Sequence, residues 1–122
     1  MMRIALGLAV LAACGTVEDD RPPTTEYVTE AILVPSCGVA QCHSAFKRAD
    51  GYVFDSVEAV QHEVDAEILK VRNPDDADDL DSSLMMQVLL RNVDRMPYDQ
   101  GLPEPDIQLI RRWVGRDNGI DL

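Results

Sequence analysis

At 122 residues and a formal charge of −11, the chain has room for one domain and little more. Its 22 Asp and Glu against 11 Lys and Arg exclude the basic footprint of a nucleic-acid binder and oppose adhesion to an anionic lipid face. No serine, cysteine or carboxylate constellation of a hydrolase is present, and three cysteines and two histidines confine thiol and ligand chemistry to few positions.

In chain order, the short basic start Met1-Met2-Arg3 precedes an apolar run from Ile4 to Ala13 that is too short to cross a bilayer and reads as a secretion signal. The run ends in Leu11-Ala12-Ala13-Cys14, which resembles the lipobox of bacterial lipoproteins. That resemblance implies cleavage before Cys14 and attachment of a diacylglycerol to its sulfur, a stable anchor because more than one acyl chain is carried. Gly15 in place of an acid after Cys14 favours the outer membrane. The expected organisation is a signal peptide over residues 1–13, a lipidated tether over 14–24 and a domain over 25–122, in or on the bacterial cell envelope.

The polar stretch from Gly15 to Pro23 has no apolar period and reads as a disordered tether. Thr25 can cap a first helix with Glu26 in its opening turn and Val28, Ala31, Ile32 and Val34 on one side, ended by Pro35. Beyond it, Tyr52-Val53-Phe54 reads as a short extended run, and Asp55 with Glu58 as a capping box. A second helix is expected from Ser56 to Val64, with Ile68 to Val71 either continuing it or extended. Asn73-Pro74 turns the chain into the acidic run Asp75–Asp81, whose spacing does not fit an EF-hand and which reads as a solvated loop. Ser82 or Ser83 can cap a third helix through Leu84, Met85, Val88 and Leu89 to about Val93. A loop through Met96-Pro97 leads to a last helix with Ile107, Ile110, Trp113 and Val114 on one face, stopped by Asn118-Gly119.

With Cys14 assigned to lipid, Cys37 and Cys42 remain, in a compartment where free thiols do not persist. They are bridged to each other or bonded to something else, and a disulfide over so short a loop restrains the unfolded chain only modestly. Cys37-Gly38-Val39-Ala40-Gln41-Cys42-His43 carries the residue types of c-type haem attachment, two thiols for the vinyl groups and an imidazole for the iron, but with four residues between the cysteines where two are usual. The extra length is accommodated if Gly38 to Gln41 bulge outwards, with Gly38 supplying the backbone freedom.

Taken together, Pro35-x-Cys37…Cys42-His43 after a helix, Asn73-Pro74 before another, Arg95-Met96-Pro97, and a terminal helix with Ile110-x-x-Trp113-Val114 resemble a small class I c-type cytochrome. The resemblance runs from about Tyr27 to Gly119. It implies a mostly α, cytochrome c-like domain around one covalent haem c, held through thioethers by Cys37 and Cys42. It makes His43 the proximal and Met96 the distal iron ligand, and it crosses the first and last helices near Trp113. The implied function is electron transfer without catalysis, between periplasmic or cell-surface redox partners whose docking surfaces are basic, to complement the acidic chain; membrane contact is through the N-terminal lipid only. The macrocycle would supply an apolar centre for Ile32, Phe46, Tyr52, Phe54, Val88, Leu89, Tyr98, Ile110 and Trp113. His62, on a polar helix face, reads as solvated. Two other readings stand beside it: a haem-free surface module with a Cys37–Cys42 disulfide, and a haem sensor or enzyme domain whose distal site is open because Met96 does not bind.

Overall fold

Thr24, in extended backbone, opens the first helix by accepting a hydrogen bond from the Tyr27 N–H at 3.2 Å, in a computed structural model that describes residues 18–120 and 122. The expected signal peptide and Cys14 lie outside the described residues, as does the first part of the tether. Among the described residues the regular structure is helical, with no strand. The cap falls one residue before the expected Thr25. The Thr25 hydroxyl instead accepts from the Trp113 indole N–H at 3.2 Å and so ties the start of the first helix to the last one.

The first helix runs past the expected stop in three registers, α1 (Thr25–Val28), a π-turn (Thr29–Leu33) and α2 (Val34–Ser36). Proline at position 35 has no N–H for the carbonyl four residues back, and its ring crowds that carbonyl. The chain meets this by widening the turn before it: the Val34 N–H reaches back five residues to the Thr29 carbonyl. Helical bonding then resumes, with the Cys37 N–H on the Leu33 carbonyl at 2.7 Å. Val28, Thr29, Ile32 and Leu33 are buried and Ala31 is exposed, so Leu33 takes the inward place expected for Ala31.

Helix α3 (Val57–Asp65) is capped by Ser56, whose Oγ accepts from the Ala59 N–H at 3.2 Å. Asp55, the expected cap, instead accepts from the Ala45 N–H at 2.5 Å and ties the loop after His43 to the 52–55 segment. The helix ends on Glu67 in the left-handed region (φ 71°), with the Glu67 N–H on the Val64 carbonyl and the Ile68 N–H on the Glu63 carbonyl. This is the Schellman pattern with glutamate where glycine is usual, and it turns Ile68, Leu69 and Val71 into the core.

The acidic run is more ordered than a solvated loop. Ala77–Ser82 is a 3-10 helix with Leu80 buried, Asp79 accepts from the Asn73 N–H at 2.7 Å and the Ser82 hydroxyl at 2.9 Å, and Asp81 pairs with Arg111 at 2.9 Å. Ser83 caps α4 (Leu84–Leu90), which stops short of the expected Val93. The Val88 carbonyl, which a longer helix would give to Asn92, accepts from the Met96 N–H at 2.9 Å instead. Helix α5 (Glu104–Asp117) buries Leu109, Ile110, Trp113 and Val114 and ends on Gly119 at φ 72°, with the Ile120 N–H on the Gly115 carbonyl, as the Asn118-Gly119 signal predicts.

Helix α1 packs against both α3 and α5, and α4 against α5, around a core that includes Val28, Leu33, Val60, Leu69, Met86 and Ile110. Asn118 closes one end of it: its amide nitrogen donates to the Leu69 and Val114 carbonyls at 2.8 Å each, and its oxygen accepts from the Val71 N–H at 3.2 Å. At the N-terminal side the expected tether is held from Asp19 onward. Arg21 pairs with Asp19 at 2.8 Å and with Asp106 of α5 at 2.6 Å, and Arg112 donates to the Asp19 carbonyl at 2.7 Å.

Candidate functional site

The helix end at Ser36 delivers Cys37 into the interior, 9% exposed, and the chain then makes a loop before returning. Val39, Ala40 and Gln41 are exposed, so three of the four residues between the cysteines project outwards, while Gly38 stays against the 52–55 segment. The neck of this loop is closed by the His43 N–H on the Cys37 carbonyl at 3.0 Å, and a turn within it by the Cys42 N–H on the Val39 carbonyl at 2.9 Å. Gly38 is needed for a different reason from the one expected. It is not in the positive-φ region; a Cβ there would stand 2.5 Å from the Phe54 carbonyl oxygen and 2.9 Å from Asp55 Cα, so only glycine lets the two backbones meet.

That close approach positions His43. Its carbonyl accepts from the Phe54 N–H at 2.7 Å, its ring packs against Phe54 with centroids 5.0 Å apart, and its side chain is buried. Tyr52 and Phe54 stack in turn, 6.2 Å apart and 8° from parallel. The Nδ1 atom of His43 lies 3.3 Å from the Tyr52 carbonyl oxygen. A carbonyl only accepts, so this contact selects the tautomer with hydrogen on Nδ1 and leaves the Nε2 lone pair free as a ligand.

Cys37, Cys42, His43 and Met96 line one cavity of about 380 Å³. Tyr52, Phe54, Ile68, Val88, Leu89 and Tyr98 give it an apolar wall, and Arg91 and Asp50 stand among its lining residues. Met96 is half-buried, in a loop held to α4 by its own N–H, and the Met96–Pro97 peptide is cis. A larger recess of about 720 Å³ adjoins the first, sharing Ser36, Gln41, Cys42, Pro97 and Tyr98, but of the four residues it contains only Cys42. The chemistry is therefore concentrated in the smaller space.

Among the described residues neither Cys37 nor Cys42 is in a disulfide, and Cys37 is pushed up to about 11, first by burial and then by Cys42 beside it. At neutral pH it is a protonated, weakly nucleophilic thiol in an apolar wall. The donor set fits a haem held by two thioethers and two axial ligands: two thiols on one loop, one imidazole with its outer nitrogen engaged, and a soft thioether from a separate stretch of chain. The cavity is within the range of cofactor pockets. Among the described residues no three His, Cys, Asp or Glu side chains gather as a metal cluster, an arrangement that two axial haem ligands do not require.

Several other expected neighbours lie elsewhere. Phe46 is 92% exposed, while Ile32, Ile110 and Trp113 belong to the packed core and do not line the cavity. The side chain of His62 is 80% exposed and apart from the site. Ile68, Leu84 and Met85, which were not among the expected neighbours, do line the cavity; Met85 is 5% exposed, whereas Met86 is fully buried and does not line it. The spacing of Met85 to Val88 was the available signal, since residues three apart share a helix face. No protein-family model, curated protein or solved structure matches the chain.

Proposed function

We propose that the chain is a lipid-anchored, single-haem c-type electron carrier of a bacterial cell envelope. The observation that carries this reading is that Met96, distant in sequence from the Cys37–His43 loop, lines one mainly apolar cavity with Cys37, Cys42 and His43, and that the His43 Nδ1 faces the Tyr52 carbonyl, the arrangement that leaves Nε2 to act as a ligand. Cys37 and Cys42 would hold the haem through thioethers, and His43 and Met96 would bind its iron. When bound, the haem supplies one-electron exchange between ferric and ferrous iron. The protein's part is to exclude water with Tyr52, Phe54, Val88 and Leu89, to orient the imidazole through Tyr52, and to set the potential through the axial pair. No residue is assigned a catalytic role.

Cys14 would carry the lipid and residues 1–13 would be removed, so that the domain works at the membrane surface facing soluble or surface redox partners with basic docking patches. No helix among the described residues is long and apolar enough to cross a membrane. The test is a redox titration of the full chain produced in a host with cytochrome c maturation. A visible spectrum that interconverts reversibly between two forms in a one-electron step supports the proposal. A colourless product, or a coloured one that binds exogenous small ligands without any titration between two low-spin forms, counts against it.

A further inference from the structure

The cavity holds two thioethers. Met96 enters from a loop, half-buried, with Asp94 in its approach at φ 52°. Met85 enters from α4, whose first turn is fixed by the buried Ser83: its hydroxyl donates to the Leu80 carbonyl at 3.1 Å and accepts from the Met86 N–H at 3.3 Å. The Met85 N–H is itself bonded to the Ile68 carbonyl at 3.1 Å. The two methionines are linked through Val88, which lies one turn beyond Met85, lines the same cavity and accepts the Met96 N–H at 2.9 Å. Both methionines are therefore tied to α4, Met85 as part of it and Met96 through its N–H, while His43 comes from the cysteine loop. Core packing alone does not require sulfur here, because leucine has nearly the same volume; a thioether differs in offering a soft, uncharged donor on three rotatable bonds.

We propose that Met85 is a reserve distal ligand, which occupies the second axial position when Met96 is withdrawn; this rests on the covalent haem proposed above. The exchange replaces one sulfur–iron bond by another and moves neither proton nor electron. It follows that removing Met96 does not open the site to small ligands, because a second methionine is already inside.

The experiment uses the full, haem-loaded chain with methionine methyl groups labelled for NMR, as wild type, Met96→Ala, Met96→Leu and the double variant Met96→Ala with Met85→Leu. In the ferrous state an iron-bound methionine methyl is displaced far upfield by the haem ring, and in the ferric state the bond gives a sulfur-to-iron charge-transfer band. Both signals are expected to persist in Met96→Ala and Met96→Leu and to vanish in the double variant. Loss of both in the folded Met96 single variants, or their persistence in the double variant, overturns the proposal. A wild type whose mass carries no haem overturns the underlying reading as well, and mass spectrometry distinguishes the two failures before any variant is compared.

Discussion

His43 Nδ1 stands 3.3 Å from the Tyr52 carbonyl oxygen, while the His43 carbonyl accepts from the Phe54 N–H at 2.7 Å, so both ends of this residue are held by the same short extended segment. The segment reaches His43 only because Gly38 lets its backbone pass. The imidazole is thus oriented by a chain of backbone contacts that begins within the cysteine loop itself.

Gly38→Ala tests that chain. A methyl group 2.5 Å from the Phe54 oxygen meets the Phe54–Asp55 backbone and not the end of a flexible side chain, so the loop or the segment must move. The expected cost is about 1–3 kcal/mol, as for overpacking in a core. Urea unfolding should report it, together with a fall in haem incorporation; an unchanged midpoint and yield would show that the approach is not constrained.

Asn118→Ala should be among the more damaging single changes away from the cavity. It removes the partners of the Val71 N–H and the Leu69 carbonyl, and leaving such groups unpaired costs about 1–3 kcal/mol each when they are buried. Chemical denaturation would measure the loss, and Asn118→Asp should recover part of it by restoring an acceptor for Val71.

Thr29→Val should act in the other direction. The Thr29 hydroxyl is buried in the π-turn without a hydrogen-bond partner among the described residues, and valine keeps its shape and β-branch. Removing the unpaired hydroxyl is expected to raise the unfolding free energy by about 1 kcal/mol. Thermal unfolding of the two proteins side by side decides the sign.

Acid should loosen the segment that leads into the domain. Asp19 is lowered from 3.8 to about 2, chiefly by its hydrogen bonds to Arg21 and with help from Arg112. A carboxylate whose folded value is depressed contributes stability above its unfolded value and loses it as the pH falls through the folded one, here from about 4 down to about 2. Asp117 is shifted the opposite way, by burial and by Asp65, so its contribution is present when protonated and fades as the pH rises. Asp19→Asn should therefore flatten the acid limb of a stability-against-pH curve, and the protection of the amides of Arg21 and Thr24, taken relative to their intrinsic exchange rate at each pH, should fall on acidification in the wild type more than in the variant.

Helices α3, α4 and α5 were legible from their apolar periods, with Ser82-Ser83 marking the start of α4 and Asn118-Gly119 the end of α5. The π-turn was not, since Pro35 reads as a terminator and nothing local reveals that an earlier turn can widen to carry it. Asp55 and Thr25 look like caps but serve tertiary hydrogen bonds to Ala45 and Trp113, which depend on contacts distant in sequence. The early end of α4 has the same origin, because Val88 gives its carbonyl to Met96. At the site, the cysteine loop, His43 and Met96 could be singled out by residue type and order. Met85 was marked only by its spacing to Val88, because helical periodicity tells an inward face from an outward one but not a packed core from a cavity wall. Phe46 escaped for the complementary reason: an aromatic residue in a short loop carries no periodic signal for the direction it faces.

Attachment of a haem by Cys37 and Cys42 across a four-residue loop is tested most directly by the intact mass of the full chain, after expression with cytochrome c maturation and extraction with acidified organic solvent. The extraction removes any haem not covalently attached. A mass increased by one haem, retained through the remaining thioether in Cys37→Ser or Cys42→Ser and lost when both are replaced, is the predicted result. A mass matching the polypeptide with a Cys37–Cys42 disulfide, and no visible absorption, would contradict it.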